Sequence, residues 1–162
     1  MCRLRLYLDT SVIGDFDADT ERGATTREFF QHVTERKNEY GLYISPVGVA
    51  EIENTPVPTL SRLVDFIYRH NISVLPDNED ALILADLYVK AGVLAKKHIR
   101  DLTHIAFAVV YRCDYVVSWN MKHFVKSKTI SGVHAVNLMN NYASPFIVIP
   151  TVILGDRYHA ND

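Results

Sequence analysis

The chain has 162 residues, of which 48% are hydrophobic and 22% charged, with a formal net charge of −2. That length fits one domain with its own core, and the near-neutral charge excludes a polycation, so any nucleic-acid contact must rest on a local basic patch. Two distant cysteines, Cys2 and Cys113, argue against a disulfide scaffold and for a reducing, cytoplasmic setting; no signal-peptide core opens the sequence, and no stretch nears the roughly 20 apolar residues of a membrane span.

In chain order, Leu4 to Leu8 reads as a first buried strand, ending on Asp9, Thr10 and Ser11. Thr25-x-x-Glu28 resembles a capping box ahead of Phe29, Phe30 and Val33. Leu42 to Ser45 is a second strand closed by Pro46, and residues 46 to 53 form a short helix. "PTLSRLVDFIYRH" sets Leu60, Leu63, Val64 and Ile67 on one helical face. Ile72 to Leu75 is a third strand, again closed by proline. "NEDALILADLYVKAG" is a helix that stops at Gly92, a good residue for a helix end.

"DLTHIAFAVVYR" is apolar almost all round from Ile105 to Val110, which predicts a central buried helix. Tyr115 to Ser118 is a fourth strand. "VKSKTISGVHAVNLMNNY" is a weaker helix, interrupted by Gly132, and Phe146 to Ile149 is a fifth strand. Strands alternating with helices predict an α/β fold: a three-layer α/β/α sandwich around a mainly parallel sheet of about five strands. One domain over residues 1–154 with a polar tail at 155–162 is expected. Sites in such sheets form beyond the carboxyl ends of the strands, where Asp9 lies.

Three acids share that kind of placement: Asp9 ends the first strand, Glu51 follows the second, and Asp101 opens the most apolar helix. Carboxylates beside so much apolar sequence are costly to desolvate unless paired or bound to metal. Hard oxygen ligands from separate elements suit Mg²⁺ or Mn²⁺, which can activate water and offset charge on a phosphoryl group. Taken singly, each acid has another reading. Asp9 is as readily a helix cap, Glu51 a solvated surface residue, and Asp101 a first-turn acid favoured by the helix dipole.

"LYLDTSVI", "ISPVGVAEIE" and "RDLTHIAFAVVYRCDYVVSWNMKHF" resemble the successive signatures of the PIN-domain family, which includes VapC-type toxins of toxin–antitoxin pairs. The resemblance runs from Leu4 to about Ile149. It implies a metal-dependent ribonuclease with Asp9, Glu51 and Asp101 as catalytic ligands of Mg²⁺ or Mn²⁺. It also implies an RNA substrate, an antitoxin protein partner and a homodimer. Thr10, Ser11 and His104 then stand behind the ligands. The sequence departs from the family at the fourth acid: Asn120 and His123 occupy the positions where an Asp is common. Asn120 could still orient a water or a ligating carboxylate through its amide, with one negative charge fewer. That departure leaves open a second reading, a weak or inactive PIN-like module that binds RNA or a protein.

Two basic runs flank the acids: Lys96, Lys97, His98 and Arg100, then Lys122, His123, Lys126 and Lys128. Arg100, Lys122, His123 and Trp119 are candidates to touch RNA, although solvated lysines and a packed Trp are the commoner roles of such residues. His104, three residues after Asp101, is either an acid–base group or a structural histidine bonded to a neighbouring strand or to the Asp. "DFDADTE" fails as a calcium loop, because Thr20 and Thr26 stand where Gly and Glu are needed. An aspartyl phosphatase wants a second acid where Ser11 stands.

Overall fold

The structure is a computed structural model that describes residues 2–155. The tail from 156 to 162 lies outside the described residues. Strands β1 (Leu4–Leu8), β2 (Tyr40–Ile44), β3 (Ser73–Val74), β4 (Tyr115–Val117) and β5 (Phe146–Val148) form one five-stranded sheet in the order β3-β2-β1-β4-β5. Every pairing is parallel, with Leu6 opposite Leu42 on one side and Tyr115 on the other, and Leu8 opposite Val117. Parallel sheets bury both faces, which is why the central strands read as apolar runs without alternation.

The helices are α1 (Thr10–Gly14), α2 (Glu21–Glu35), α3 (Pro46–Glu53), α4 (Val57–Arg69), α5 (Glu79–Lys90), α6 (Ile99–Val110), α7 (Ser127–Met139) and α8 (Pro150–Gly155), with a 3-10 turn at Lys96–His98 leading into α6. Alternate strand residues feed two cores. Tyr7, Val116 and Ile147 pack with Leu84, Ile105 and Val133 from α5, α6 and α7. Leu6, Leu8, Ile44 and Val117 pack with Phe29, Leu63 and Ile153 from α2, α4 and α8. The molecule is therefore the three-layer α/β/α sandwich that the pattern predicts. Helix α6 is buried from Leu102 to Val109, as its all-round apolar character requires.

Four local expectations need correction. Helix α2 starts earlier than the Thr25 box: Thr20 is the N-cap, and its side chain accepts the Gly23 N–H at 3.0 Å. Thr25 is mid-helix and donates its hydroxyl to the Glu21 carbonyl at 3.1 Å. On α4, Val64 is 53% exposed, and Phe66 joins Leu63 as the buried pair. Gly132 does not interrupt α7; a Cβ there would fall 2.9 Å from Val93 Cγ2, so glycine serves close packing of the loop after α5. Helix α8 lies where the sequence reading placed no element and reaches Gly155, with Pro150 at its start, Ile153 and Leu154 buried.

Candidate active site

Strands β1 and β4 are neighbours at the centre of the sheet, and their carboxyl ends stop side by side. The residues just beyond, Asp9 and Ser118, are both buried. Asp9 occupies the N-cap position of α1, yet its side chain makes no cap hydrogen bond. Instead its Oδ2 accepts the Ser118 hydroxyl at 2.7 Å and the Ser11 hydroxyl at 2.6 Å. Backbone donors lock those hydroxyls: Trp119 N–H donates to Ser11 Oγ at 3.1 Å, and Asn120 N–H to Ser118 Oγ at 2.9 Å. With Oδ2 fixed, Oδ1 is left facing the His104 ring, 3.9 Å from Nε2.

His104 is the hub. Its Nδ1 lies 2.6 Å from the Tyr7 hydroxyl, which sits 2.6 Å from Ser45 Oγ, and its Nε2 lies 2.8 Å from Glu51 Oε1. Burial pushes the imidazole pKa down. The Glu51 hydrogen bond and the charges of Asp9, Glu51 and Asp101 outweigh it, and the net direction is up. Burial pushes Glu51 up, but the His104 bond and charge, with Thr10 and Arg100, bring it below the usual carboxylate range. Burial carries Tyr7 well above the usual phenol value; the Ser45 hydrogen bond opposes the rise and the charges of Asp9 and Glu51 add to it. A histidine that meets Tyr7 and Glu51 together links β1 to α3 across the end of the sheet.

Asp101, in the first turn of α6, faces the same space. Burial raises its pKa; His123 opposes that rise, and the charge of Asp9 adds to it. Its Oδ2 is 2.7 Å from His123 Nδ1 and 4.0 Å from His98 Nδ1. Helix α3 packs against the site at Gly48, where a Cβ would make ordinary van der Waals contact with the His104 ring, Ile44 and Thr10 Oγ1 at 3.6 to 3.8 Å. Thr10 Oγ1 is buried and has no partner within hydrogen-bond geometry, although it lies near enough to Glu51 to favour its ionised form.

The three acids expected from sequence thus gather around one end of the sheet, each from a different element. One observation fits a hard divalent cation there: Asp9 and Asp101 feel each other's charge, which a cation between them would relieve. A few carboxylates completed by water are what Mg²⁺ or Mn²⁺ prefers. The acids do not close on one point, however. Among the described residues, the group that brings three ligand atoms within 4.8 Å of one another is His98, Asp101 and His123.

The remaining candidates fall as follows. The Asn120 amide oxygen accepts the His123 backbone N–H at 3.0 Å, so it shapes the turn that carries His123. Trp119 donates its indole N–H to Thr26 Oγ1 at 2.9 Å, and the Arg22 guanidinium lies over the ring at 5.0 Å. Both the edge and the face of the indole are therefore engaged on α2. Arg100 and Lys122 are exposed beside Asp101 and Asn120. The two basic runs meet, because the His98 and His123 rings stand 3.9 Å apart. Sequence reasoning missed Tyr7, Ser45 and Ser118. The signal was present in part, since a small hydroxyl residue follows β4 and another follows β2.

No protein-family model matches the chain, and no curated protein matches it. Among solved structures it is similar to a chain of VapBC2 from Rickettsia felis, crystallised bound to a DNA fragment from their promoter. The TM-score is 0.54 at 14% identity, covering 74% of this chain and 90% of that one. A likeness at that identity speaks to the fold, which is the same parallel α/β arrangement. No helix among the described residues is long and apolar enough to cross a membrane.

Proposed function

We propose that this chain is a metal-dependent endoribonuclease of the PIN-domain kind, the toxin of a toxin–antitoxin pair. What supports the reading is the convergence of Asp9, Glu51 and Asp101 on the buried His104 at the carboxyl ends of β1 and β4. The likeness in fold to a VapBC2 chain adds the toxin and antitoxin expectation. Asp9, Asp101 and Glu51 would hold Mg²⁺ or Mn²⁺. When bound, such an ion lowers the pKa of water and neutralises charge at a phosphoryl group.

The chain's own residues do the rest. Ser11 and Ser118 hold Asp9 in one orientation, with its Oδ1 toward His104. His104 keeps Glu51 ionised and ties α3 to β1. Arg100 and Lys122 lie at the rim, where they can pair with the phosphates of an RNA strand. An antitoxin, a homodimer and a cytoplasmic setting belong to the same reading.

The test is cleavage of a mixed-sequence RNA with Mn²⁺ or Mg²⁺ by the wild type, Asp9→Asn and Asp101→Asn. Each variant is expected to lose at least about 100-fold in rate. Equal rates in all three would remove the metal mechanism. One observation keeps a second reading in view. Glu51 is committed to His104, and no carboxylate takes the place of Asn120. An RNA-binding module without cleavage would bind the same RNA and leave it intact at every metal concentration.

A further inference from the structure

We infer that His98, Asp101 and His123 form a binding site for a borderline transition-metal cation of the Zn²⁺ type. The site goes beyond the ribonuclease reading; it shares Asp101 with it as a ligand, and His123 as a residue expected to touch RNA. It starts from the one triplet among the described residues whose ligand atoms all lie within 4.8 Å of one another. Asp101 Oδ2 sits 2.7 Å from His123 Nδ1 and 4.0 Å from His98 Nδ1. The two rings lean together with centroids 3.9 Å apart and planes at 44°.

In a tetrahedral site with ligand bonds of about 2.0–2.1 Å, neighbouring ligand atoms stand about 3.3 Å apart. One observed separation is a little shorter and the other a little longer, so small side-chain rotations bring both to that value. The side chains have room to make them, being 24% to 27% exposed. Three protein ligands leave a fourth position open to solvent.

The backbone presets the ligands. His98 and Asp101 are spaced i, i+3 across the junction of the 3-10 turn and α6, and His98 N–H donates to the Ala95 carbonyl at 2.8 Å. His123 is set by the Asn120 turn, in which the Asn120 amide oxygen accepts its N–H and the Asn120 carbonyl accepts the Phe124 N–H at 2.9 Å. Two imidazoles and one carboxylate select against Mg²⁺, which wants oxygen, and for Zn²⁺ or Co²⁺. The position that lacks a fourth acid thus carries a nitrogen donor in its place.

The experiment is titration of the metal-free full chain with Co²⁺, read by its visible absorption, with Mg²⁺ competition. The wild type is expected to bind one equivalent at least about 100-fold more tightly than Mg²⁺. His98→Ala and His123→Ala each lose about 10-fold or more, while Asp9→Asn and Glu51→Gln stay within about 3-fold. The histidines are partly exposed, so these variants should fold. A second measurement needs no variant: Cu²⁺ bound to the wild type should show nitrogen couplings from imidazole in pulsed EPR. Unchanged Co²⁺ affinity in both His variants, or loss in Asp9→Asn with retention in the His variants, overturns the site. Failure of RNA cleavage alone overturns the ribonuclease reading and leaves the Co²⁺ result standing.

Discussion

Asp9 sits where a helix cap would sit and does not cap. Its carboxylate is drawn instead to two serine hydroxyls, each fixed by a backbone N–H. That arrangement orders the carboxylate before any ligand arrives, and partners of this kind commonly support a metal ligand strongly. On the proposed ribonuclease function, Ser118→Ala should therefore lower Mn²⁺-dependent RNA cleavage by about 10- to 100-fold, with a circular dichroism spectrum like the wild type's. Full activity in this variant would show that Asp9 needs no such holding. Ser11 was legible beside Asp9 in the sequence. Ser118 was not, because a serine after a strand reads as a turn residue until β4 is known to lie against β1. His104 was legible as a residue of interest, but its partners were not: it meets Tyr7 and Glu51, which lie 97 and 53 positions away.

At the level of elements, strand positions followed from short apolar runs, three of them closed by proline, and β1 and α3 match their expected limits residue for residue. Helix starts were harder. A hydroxyl three residues before an acid looks the same inside a helix as at its start, and only the backbone shows that Thr20 is the cap. Thr20→Ala should cost about 1 kcal/mol of stability, and Thr25→Ala less than about 0.5 kcal/mol, both read from urea denaturation. The reverse order would restore the Thr25 box. Gly132 teaches a related point. Glycine in a helix is a weakness by propensity, but here its missing side chain admits Val93. Nothing in the local sequence announces a partner nearly 40 residues away. Gly92 is the simpler case, since its φ of +74° is one that glycine adopts at no cost.

For the whole molecule, the parallel sheet decides which chemical groups meet. Strand order β3-β2-β1-β4-β5 brings the ends of the first and fourth strands together and makes a site from segments over 100 residues apart. The same burial governs reactivity elsewhere. Cys113 is buried, and desolvation is the main cause that raises its thiol to about 11. At pH 8 only about 0.1% of such a thiol is ionised, and the thiolate is the reactive form. Iodoacetamide at pH 8 should therefore modify exposed Cys2 in the folded chain and spare Cys113, with both reacting in denaturant. Raising the pH toward 11 should bring the second site into reaction. Equal rates for both cysteines in the folded chain would contradict the burial.

The sequence by itself determined the class of fold, because buried parallel strands leave local marks, and it named three acids that the fold brings to one end of the sheet. The tertiary structure alone decided how those acids are held. The hydrogen bonds Ser118–Asp9, Tyr7–His104 and His104–Glu51 join residues distant in the chain, and their short range means that only the packed sheet brings such partners within reach. It also decided which side chains surround Asp101. The histidines of two separate basic runs read as surface charge in the sequence, and they become neighbours of Asp101 only where the start of α6 meets the turn after β4.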